Sequence, residues 1–298
     1  MMYHNPVMLE ESLDSLCINK GGIYVDLTYG GGGHSNGILN ILGKKGKLLA
    51  FDQDLDAINN KINDDRLLLI NQNFKHLKQN LNYYGFNEVD GVLADLGVSS
   101  FQFDQPERGF SIRSDSDLDM RMNKNSELTA SHILNNYTES SLAQILYDYA
   151  DLRNSRAIAK HIVNFRIENC IKSTLQLNKI LSPFLAKGFE NKTLAKIYQA
   201  LRIEVNSEID ALKELLCQLP EVVKKGGKIS IITYHSIEDR LVKRFIKNGC
   251  FDSEPIKDDF GKWNLPFKKS FKFKVPSSKE IKLNNRARSA KLRSATRL

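Results

Sequence analysis

A run of four glycines and two acidic residues, each directly after an apolar segment, suggest chemistry by their type and spacing. The glycines belong to D-L-T-Y-G-G-G-G-H-S, residues 26–35. Because glycine has no Cβ, the backbone of such a turn can approach a bound ligand closely. Ser35 or Asn36 stands where the dinucleotide fingerprint needs Gly or Ala, and the Lys-Ser/Thr of a P-loop is missing. The run predicts a ligand-binding loop of another kind, with a flexible loop as the alternative.

The two acids are Asp52 and Asp95. Asp52 comes nineteen residues after Gly33, where a carboxylate accepts hydrogen bonds from both hydroxyls of a bound ribose; its alternative is a helix cap. Asp95 opens D-L-G-V-S-S, residues 95–100, and is expected to face the reactive end of the ligand. Asn73 and Phe74 follow a further apolar segment, where they would flank an adenine, although an aromatic there is more often part of the core.

Positive charge is missing from these positions. No Lys or Arg lies in the glycine loop or directly after the apolar segments that end near residues 27, 52 and 95. A pyrophosphate would lack cationic partners there, whereas a cationic cofactor such as S-adenosylmethionine needs none. The pattern favours the second kind of ligand.

The elements that must position these residues alternate between strand and helix patterns. Strands are predicted at residues 23–27, 47–52, 66–70 and 89–95, and helices at residues 35–42, 54–62 and 74–84. Such alternation is typical of βαβ units in a parallel, doubly wound sheet with right-handed crossovers. Ligands bind such a sheet at the carboxyl ends of its strands, so the glycine loop, Asp52 and Asp95 should share one edge.

The alternation stops between about residues 103 and 219, where only helical patterns occur. Helices are predicted at residues 139–149, 154–165, 174–185, 194–205 and 208–219. The strand pattern K-I-S-I-I-T, residues 228–233, and a helix at 237–246 then resume the alternation. One strand cannot form a sheet alone. We therefore predict a Rossmann-like α/β domain in two parts, 1–102 and 220–298, with an all-helical insertion domain at 103–219.

Composition bounds the class of protein. The 298 residues are 41% hydrophobic, which excludes wholesale disorder. No apolar run approaches the ~20 residues that span a bilayer, and the first residues lack a secretory signal. The four cysteines form no C-x-x-C pair, and His4, His76, His132 and His161 show no metal-ligand spacing. We expect a cytoplasmic protein without a metal site, a disulfide framework or a membrane anchor.

The net charge of +8 is concentrated at one end of the chain. Residues 262–298 contain twelve of the 43 basic residues and one of the 35 acidic ones, so this segment carries +11 and the rest −3. Aromatic residues interleave with the lysines: Trp263, Phe267, Phe271 and Phe273. Lys and Arg neutralise phosphates and aromatic rings stack on bases, so the segment predicts a polyanion partner. A solvated face is the alternative.

Eight sequence blocks in fixed order resemble the bacterial ribosomal RNA small-subunit methyltransferase H family, also called MraW, over nearly the whole chain. The blocks are H-N-P-V-M-L-E-E (4–11), D-L-T-Y-G-G-G-G-H-S (26–35), L-A-D-L-G-V-S-S (93–100), E-R-G-F-S (107–111), L-D-M-R-M (118–122), Q-A-L-R-I-E-V-N (199–206), H-S-I-E-D-R-L-V-K (235–243) and R-A-R-S-A-K-L-R (286–293). The chain departs from the family's pattern beside these blocks, at Ser116-Asp117, Asn123 and Asn285. These departures leave the cofactor interpretation intact and concern loop shape near the RNA.

The resemblance implies a class I S-adenosylmethionine-dependent methyltransferase fold with a helical insertion. It implies methylation of the exocyclic N(4) amine of a cytidine in the decoding centre of 16S ribosomal RNA, so the partner would be that RNA or the small ribosomal subunit. The implied cofactor pocket consists of Gly32, Gly33, His34, Asp52, Phe74, Asp95 and Gln102. Of these, His34 and Gln102 come from the resemblance alone.

Methyl transfer to a cytosine amine needs positioning, because the lone pair of that nitrogen is delocalised into the ring. The amine must lie about 3–3.5 Å from the methyl group, in line with the breaking bond. Acceptors on its two N–H groups make the nitrogen more tetrahedral, and the candidates are Asp95 and the backbone carbonyl of Leu96. Alternatively, Asp95 only orients the cofactor. No general base is assigned, and D-L-G-V supplies no aromatic residue to stack on the base.

Several residues are candidates for RNA contact. His235 and Ser236, followed by Glu238 and Asp239, come after the strand 228–233 and would contact the target base or, as the favoured alternative, cap a helix. Three arginines near the start of the insertion would bind phosphates or form surface salt bridges: Arg108, Arg113 and Arg121. The basic segment is predicted to form an RNA-facing strip in or beside the last strand, with Lys268, Lys269, Lys272, Lys274, Arg286 and Arg288.

Two other functions compete with the methyltransferase. A nicotinamide-dependent oxidoreductase could use a similar sheet, but the failed dinucleotide fingerprint counts against it. A ribosome assembly factor without catalysis could keep the fold, but the intact Gly32, Gly33, Asp52 and Asp95 count against that function. Binding of NAD would revive the first, and methyl transfer that requires Asp95 would exclude the second.

Overall fold

The computed structural model describes residues 6–252, 254–255, 257, 261, 263 and 265–298. His4, predicted to be structural, and Lys262 of the basic segment lie outside these residues. The strands are β1 (Ile23–Asp26), β2 (Lys47–Asp52), β3 (Leu67–Asn71), β4 (Val89–Asp95), β5 (Val223–Thr233), β6 (Phe267–Lys269) and β7 (Lys291–Arg297). The helices are α1 (Leu9–Leu16), α2 (Gly33–Ile41), α3 (Leu55–Ile58), α4 (Leu77–Tyr83), α5 (Ser100–Asp104), α6 (Ala130–Asn136), α7 (Glu139–Ala150), α8 (Ser155–Arg166), α9 (Thr174–Leu181), α10 (Glu190–Asn206), α11 (Glu208–Val222), α12 (Ser236–Asn248) and α13 (Ser278–Leu283).

All seven strands form one sheet in the order β3-β2-β1-β4-β5-β7-β6. Strands β1 to β5 run parallel to one another, and β7 is antiparallel to both of its neighbours. Asp26 of β1 pairs with Ala50 of β2 and with Leu93 of β4, so three strands end close together. This arrangement, interrupted by a run of helices, confirms the predicted class I, Rossmann-like fold.

The chain divides into two compact units. The first contains residues 1–97 and 209–298, and the second contains residues 98–208. Both boundaries therefore lie earlier in the sequence than the predicted 102/103 and 219/220. The second difference arises because α11 buries Leu212, Leu215 and Leu216 in the same apolar cluster as residues of β4 and β5. Amphipathic periodicity alone does not tell which core a helix joins.

The core of the first unit covers both faces of the sheet, as parallel strands require. Val25, Phe51 and Val92 belong to one cluster, whereas Tyr24, Leu48 and Leu93 belong to another. Neighbouring residues of one strand thus enter opposite cores, and the strands read as continuous apolar runs. The second unit has its own apolar core, built mostly from helical side chains. Within the described residues, no helix is long and apolar enough to cross a membrane.

Candidate active site

The glycine loop connects β1 to α2 and leaves no room for a side chain at two of its glycines. Gly32 caps the helix with φ 76°, and a Cβ there would lie 2.8 Å from the Tyr29 hydroxyl. A Cβ on Gly33 would lie 2.7 Å from the Pro6 ring. The helix begins at Gly33, two residues before its predicted start at Ser35, and the Ser35 hydroxyl donates a hydrogen bond to Asp26.

Asp52 ends β2 and is tied to the glycine loop. Its carboxylate accepts hydrogen bonds from the backbone N–H groups of Gly30, at 2.8 Å, and of Asp54, at 2.9 Å. Burial raises the pKa of Asp52 to about 6, against the lowering effect of these two bonds. The cap of α3 is Asp54 instead, so the carboxylate of Asp52 is not used as a helix cap.

Asp26 is a third acid at this edge and is fully buried. Its two oxygens accept hydrogen bonds from the Thr28 backbone, at 3.1 Å, and from the Ser35 hydroxyl, at 2.7 Å. Burial raises its pKa. Because Asp26 joins the end of β1 to the first turn of α2, it holds the two ends of the glycine loop together.

Asp95 ends β4 and lies at the centre of a short polar network. Its Oδ1 accepts a 2.7 Å hydrogen bond from the Tyr234 hydroxyl, and its Oδ2 lies 3.8 Å from Nδ1 of His34. The other ring nitrogen of His34 lies 3.0 Å from the Val7 carbonyl oxygen, which can only accept, so Nε2 carries a proton. Burial raises the pKa of Asp95 to about 6, although 22% of the side chain remains exposed.

The residues after Asp95 leave an acceptor at the same edge. Leu96 is buried and uses its N–H to bond the Ile232 carbonyl of β5. Within the described residues, none donates a hydrogen bond to the Leu96 carbonyl oxygen. Gly97 follows with φ 107°, and a Cβ on it would lie 3.4 Å from the ring of Tyr234.

The remaining predicted cofactor residues occupy different surroundings. Phe74 is half-buried and packs against the apolar cluster that contains Phe51 of β2 and Val92 of β4. The Asn73 side-chain amide donates to Gln53, the residue after Asp52. Gln102 belongs to the second unit, where it is buried and its Oε1 accepts a hydrogen bond from the Ser99 N–H in the capping box of α5.

The favoured alternative for His235 is confirmed by the structure. His235 is the N-cap of α12, and its Nδ1 accepts a hydrogen bond from the Glu238 N–H while the Glu238 carboxylate accepts from the His235 N–H. A side chain committed to this capping box is not placed to read a base. Ser236, the first residue of the helix, is exposed.

The phosphate role predicted for Arg108 is wrong. Arg108 is 3% exposed and donates hydrogen bonds to the carbonyls of Arg121 and Met122. A buried guanidinium that ties two loop carbonyls is structural. Arg121 is likewise paired with Asp119, whereas Arg113 is exposed.

The basic segment is built onto the sheet, as predicted. Its R-A-R-S-A-K-L-R block forms a 3-10 turn, Asn285–Ser289, and the start of β7. All six predicted strip residues are exposed: Lys268, Lys269, Lys272, Lys274, Arg286 and Arg288. Two further arginines of the segment are structural instead, because Arg293 pairs with Asp239 and Arg297 donates to the Pro220 and Pro266 carbonyls.

Sequence reasoning missed Tyr234 and Thr28. Tyr234 directly follows β5 and holds Asp95, and the Thr28 hydroxyl accepts a 2.7 Å hydrogen bond from the Asp95 N–H. Both follow strand ends at the predicted ligand edge, so their positions were a signal. The structure thus joins Tyr234, His34 and Asp95 in one network and Asp52 to the glycine loop in another.

Comparison with known proteins identifies the family of this chain. The model of the MraW methylase family matches residues 1–298. A curated relative from Christiangramia forsetii, named ribosomal RNA small subunit methyltransferase H, is 56% identical over 100% of this chain and 99% of its own length. A relative of the same name from Flavobacterium johnsoniae is 53% identical over the same shares. A solved rRNA methylase from Streptococcus thermophilus aligns with TM-score 0.41, 12% identity and coverage of 100% and 99%. With a family model matched from end to end and two relatives more than half identical, the chain belongs to the MraW methylase family.

Proposed function

We propose that this protein uses S-adenosylmethionine to methylate the exocyclic N(4) amine of a cytidine in 16S ribosomal RNA, near the decoding centre. The observation that carries the proposal is the carboxylate of Asp95, held by Tyr234 at the carboxyl edge of the sheet beside the glycine loop. Membership of a methylase family supplies the reaction class.

The residues at the edge fit the cofactor. Side chains at Gly32 and Gly33 would collide with Tyr29 and Pro6, so both positions need glycine. A loop without side chains also lets its backbone approach a ligand closely. The Asp52 carboxylate is positioned to accept from ribose hydroxyls, and Phe74 to contact the adenine. His34 and Asp95 complete the proposed set in the first unit, and Gln102 stays a prediction. When bound, S-adenosylmethionine supplies an electrophilic methyl group on a sulfonium.

Asp95 and Leu96 are proposed to hold the cytosine amine. With its pKa raised to about 6, Asp95 is ionised at pH 7 and accepts hydrogen bonds strongly, because it is poorly solvated. The Leu96 carbonyl offers a second acceptor beside it. Two acceptors on two N–H groups orient the nitrogen lone pair away from them and toward the methyl donor.

Proton loss needs no strong base in this scheme. After attack the amine nitrogen becomes acidic, and an acceptor already in contact with its N–H can receive the proton. Under the proposed contact, Asp95 is that acceptor. Its role is therefore to orient the amine first and to stabilise the charge that develops on it afterwards.

RNA binding is assigned to the exposed strip of Lys268, Lys269, Lys272, Lys274, Arg286 and Arg288. Closely spaced cations on one surface bind a phosphate backbone and make its affinity dependent on salt. Ser236, exposed at the start of α12, is proposed as a further contact. Because the substrate is ribosomal RNA, we infer action in the cytoplasm.

The test offers labelled cofactor with naked 16S RNA, small subunits and complete ribosomes, each lacking the modification, and maps the labelled base. We expect label on N(4) of one cytidine with at least one of these substrates, and none with the Asp95→Ala variant. Label confined to DNA or protein, or binding of NAD without S-adenosylmethionine, would overturn the proposal.

A further inference from the structure

Phe273 is an exposed aromatic residue of the basic segment. Its side chain is 38% exposed, and it belongs to none of the apolar clusters of the described residues. Phe271, two residues earlier, packs against a cluster formed with β7 residues such as Leu292. The segment thus places one ring in the core and leaves the other at the surface.

Cations surround the Phe273 ring. The Nζ atoms of Lys272 and Lys291 each lie 5.8 Å from its centroid, and the guanidinium carbon of Arg293 lies 5.5 Å away. Arg293 is fixed by a two-point pair with Asp239, and it also donates to the Lys272 carbonyl. The ring is therefore held in a positively charged frame by a buried anchor.

The sheet places this ring at the catalytic edge. Lys291, the first residue of β7, pairs with Thr233, the last residue of β5. Tyr234 follows Thr233 and bonds Asp95. By contrast, Lys268 pairs with Thr296, whose partner in β5 is Lys228, in the middle of that strand. At about 3.4 Å per residue, the five residue steps of β7 from Lys291 to Thr296 span roughly 17 Å.

We propose that Phe273, with Lys272 and Lys291, forms a nucleotide site: the ring stacks on the base of an RNA residue next to the target cytidine. The ammonium groups bind its phosphate. Aromatic residues within basic surfaces bind single-stranded RNA in this way, with little dependence on which base stacks. The inference rests on the proposed function, because it assumes an RNA substrate whose target lies at Asp95.

The first experiment compares Phe273→Leu, which removes the ring but keeps its apolar bulk, with Phe273→Trp, which keeps an aromatic surface. We expect the leucine variant to raise KM for the small subunit and Kd for a short single-stranded RNA containing the target cytidine by about 10-fold. KM for the cofactor should not change, and the tryptophan variant should bind like the wild type. Tyr83→Leu, at an 82% exposed aromatic on α4, is the matched control.

A second experiment observes stacking directly. The chain has one tryptophan, Trp263, so Phe273→Trp in a Trp263→Phe background reports from a single position. We expect the short RNA to quench its fluorescence, and an RNA with an abasic residue beside the target cytidine to quench it less. Tyr83→Trp in the same background should not respond.

Two results would overturn the inference while the proposed function stands. In the first, the wild-type enzyme methylates the RNA, Phe273→Leu has the same KM and Kd as the wild type, and the RNA does not quench the introduced tryptophan. The other is a Phe273→Leu defect that appears only with complete small subunits and not with naked RNA, which would assign the ring to a ribosomal protein. Failure of the wild type to methylate any RNA would instead refute the proposed function.

Discussion

At the scale of single residues, the reactive edge depends on side chains that are distant in sequence. Asp95 accepts a hydrogen bond from the hydroxyl of Tyr234, which is 139 positions away in the chain. The ring of His34, next to the glycine loop, lies 3.8 Å from the same carboxylate. These neighbours hold a carboxylate in a place where burial raises its pKa to about 6. The group remains charged at neutral pH yet is poorly hydrated, which makes it a strong hydrogen-bond acceptor, as the proposed contact with the amine requires.

Asp95→Asn tests the role of the charge. The amide keeps the shape of the side chain and can still accept from Tyr234, but it offers no anionic acceptor for the amine. We expect kcat to fall at least about 100-fold, with cofactor affinity lowered less and an unchanged circular dichroism spectrum. An active Asp95→Asn enzyme would contradict direct contact between this carboxylate and the amine.

The same variant should be more stable than the wild type at pH 8. A raised pKa means that the folded state holds the proton more tightly than the unfolded state, so wild-type stability falls as pH rises from about 4 to about 6. Each unit of pKa is worth about 1.4 kcal/mol. Thermal melting without cofactor should show a higher Tm for Asp95→Asn at pH 8 and a shrinking difference below pH 6. An unchanged difference across this range would contradict the raised pKa.

Tyr234→Phe tests positioning without removing the ring. Loss of the hydroxyl frees the Asp95 carboxylate to rotate and removes a bond that lowers its pKa. We expect kcat to fall about 10-fold, KM for the cofactor to change little, and the acid limb of the pH–rate profile to move to higher pH. A merely structural tyrosine would lower stability and leave that limb in place.

At the scale of elements, the β1–α2 turn combines a positive φ with close contacts. Gly32 and Gly33 face Tyr29 and Pro6, so an added methyl group at either position must displace a neighbour or the ligand. The turn is therefore specified by its lack of side chains.

Gly33→Ala should weaken S-adenosylmethionine binding at least about 10-fold and lower stability by about 1–3 kcal/mol, because overpacking strains the turn. RNA affinity should be retained. Isothermal titration and thermal melting measure both effects. Gly21→Ala is the matched control, since a Cβ at Gly21 meets nothing within 4 Å. Equal cofactor affinity in the two variants would contradict a close approach at Gly33.

Most elements were predictable because their signals are local. The predicted strand at 47–52 coincides with β2, and the helix at 139–149 ends one residue before α7 does. Helix α1 was missed because its caps, Met8 and Cys17, have left-handed backbones without a polar capping side chain. Strand β6 is only three residues long and depends on β7 for its pairing.

The site was predictable in part, for a related reason. Asp52 and Asp95 follow strands, and the topology of a parallel sheet brings strand ends together. The position of Tyr234 directly after β5 was a signal, but its hydrogen bond to Asp95 depends on the pairing of β4 with β5, which the sequence alone does not show. Arg108 was misjudged because charged residues are mostly exposed, whereas backbone carbonyls of its own loop satisfy this buried one.

At the scale of the whole molecule, charge is segregated. The net +8 consists of a segment carrying +11 and a remainder carrying −3. Part of this positive charge is structural, in Arg293 and Arg297, and part is exposed on the strip. Positive charge concentrated in one segment orients a protein toward a polyanion before contact.

Replacing Lys268, Lys269, Lys272 and Lys274 with glutamine tests the strip. RNA affinity should weaken, and the slope of log K against log salt should fall by up to about 3, at about 0.7 for each phosphate that the protein no longer neutralises. Filter binding across salt concentrations measures this change, and cofactor affinity should be unaffected. The control replaces four exposed lysines elsewhere on the first unit: Lys20, Lys44, Lys45 and Lys225. Similar slopes for the two variants would return the strip to a solvated face.

The split of the first unit around residues 98–208 also governs how the chain is made. Strands β4 and β5 are neighbours in the sheet, yet synthesis must pass through the whole helical unit between them. During translation β4 therefore leaves the ribosome with one edge unpaired, a state that favours aggregation. The contiguous helical unit can fold while that edge waits. Asp95 gains its Tyr234 partner only after β5 has emerged and paired with β4, so the polar network at this edge forms late in synthesis.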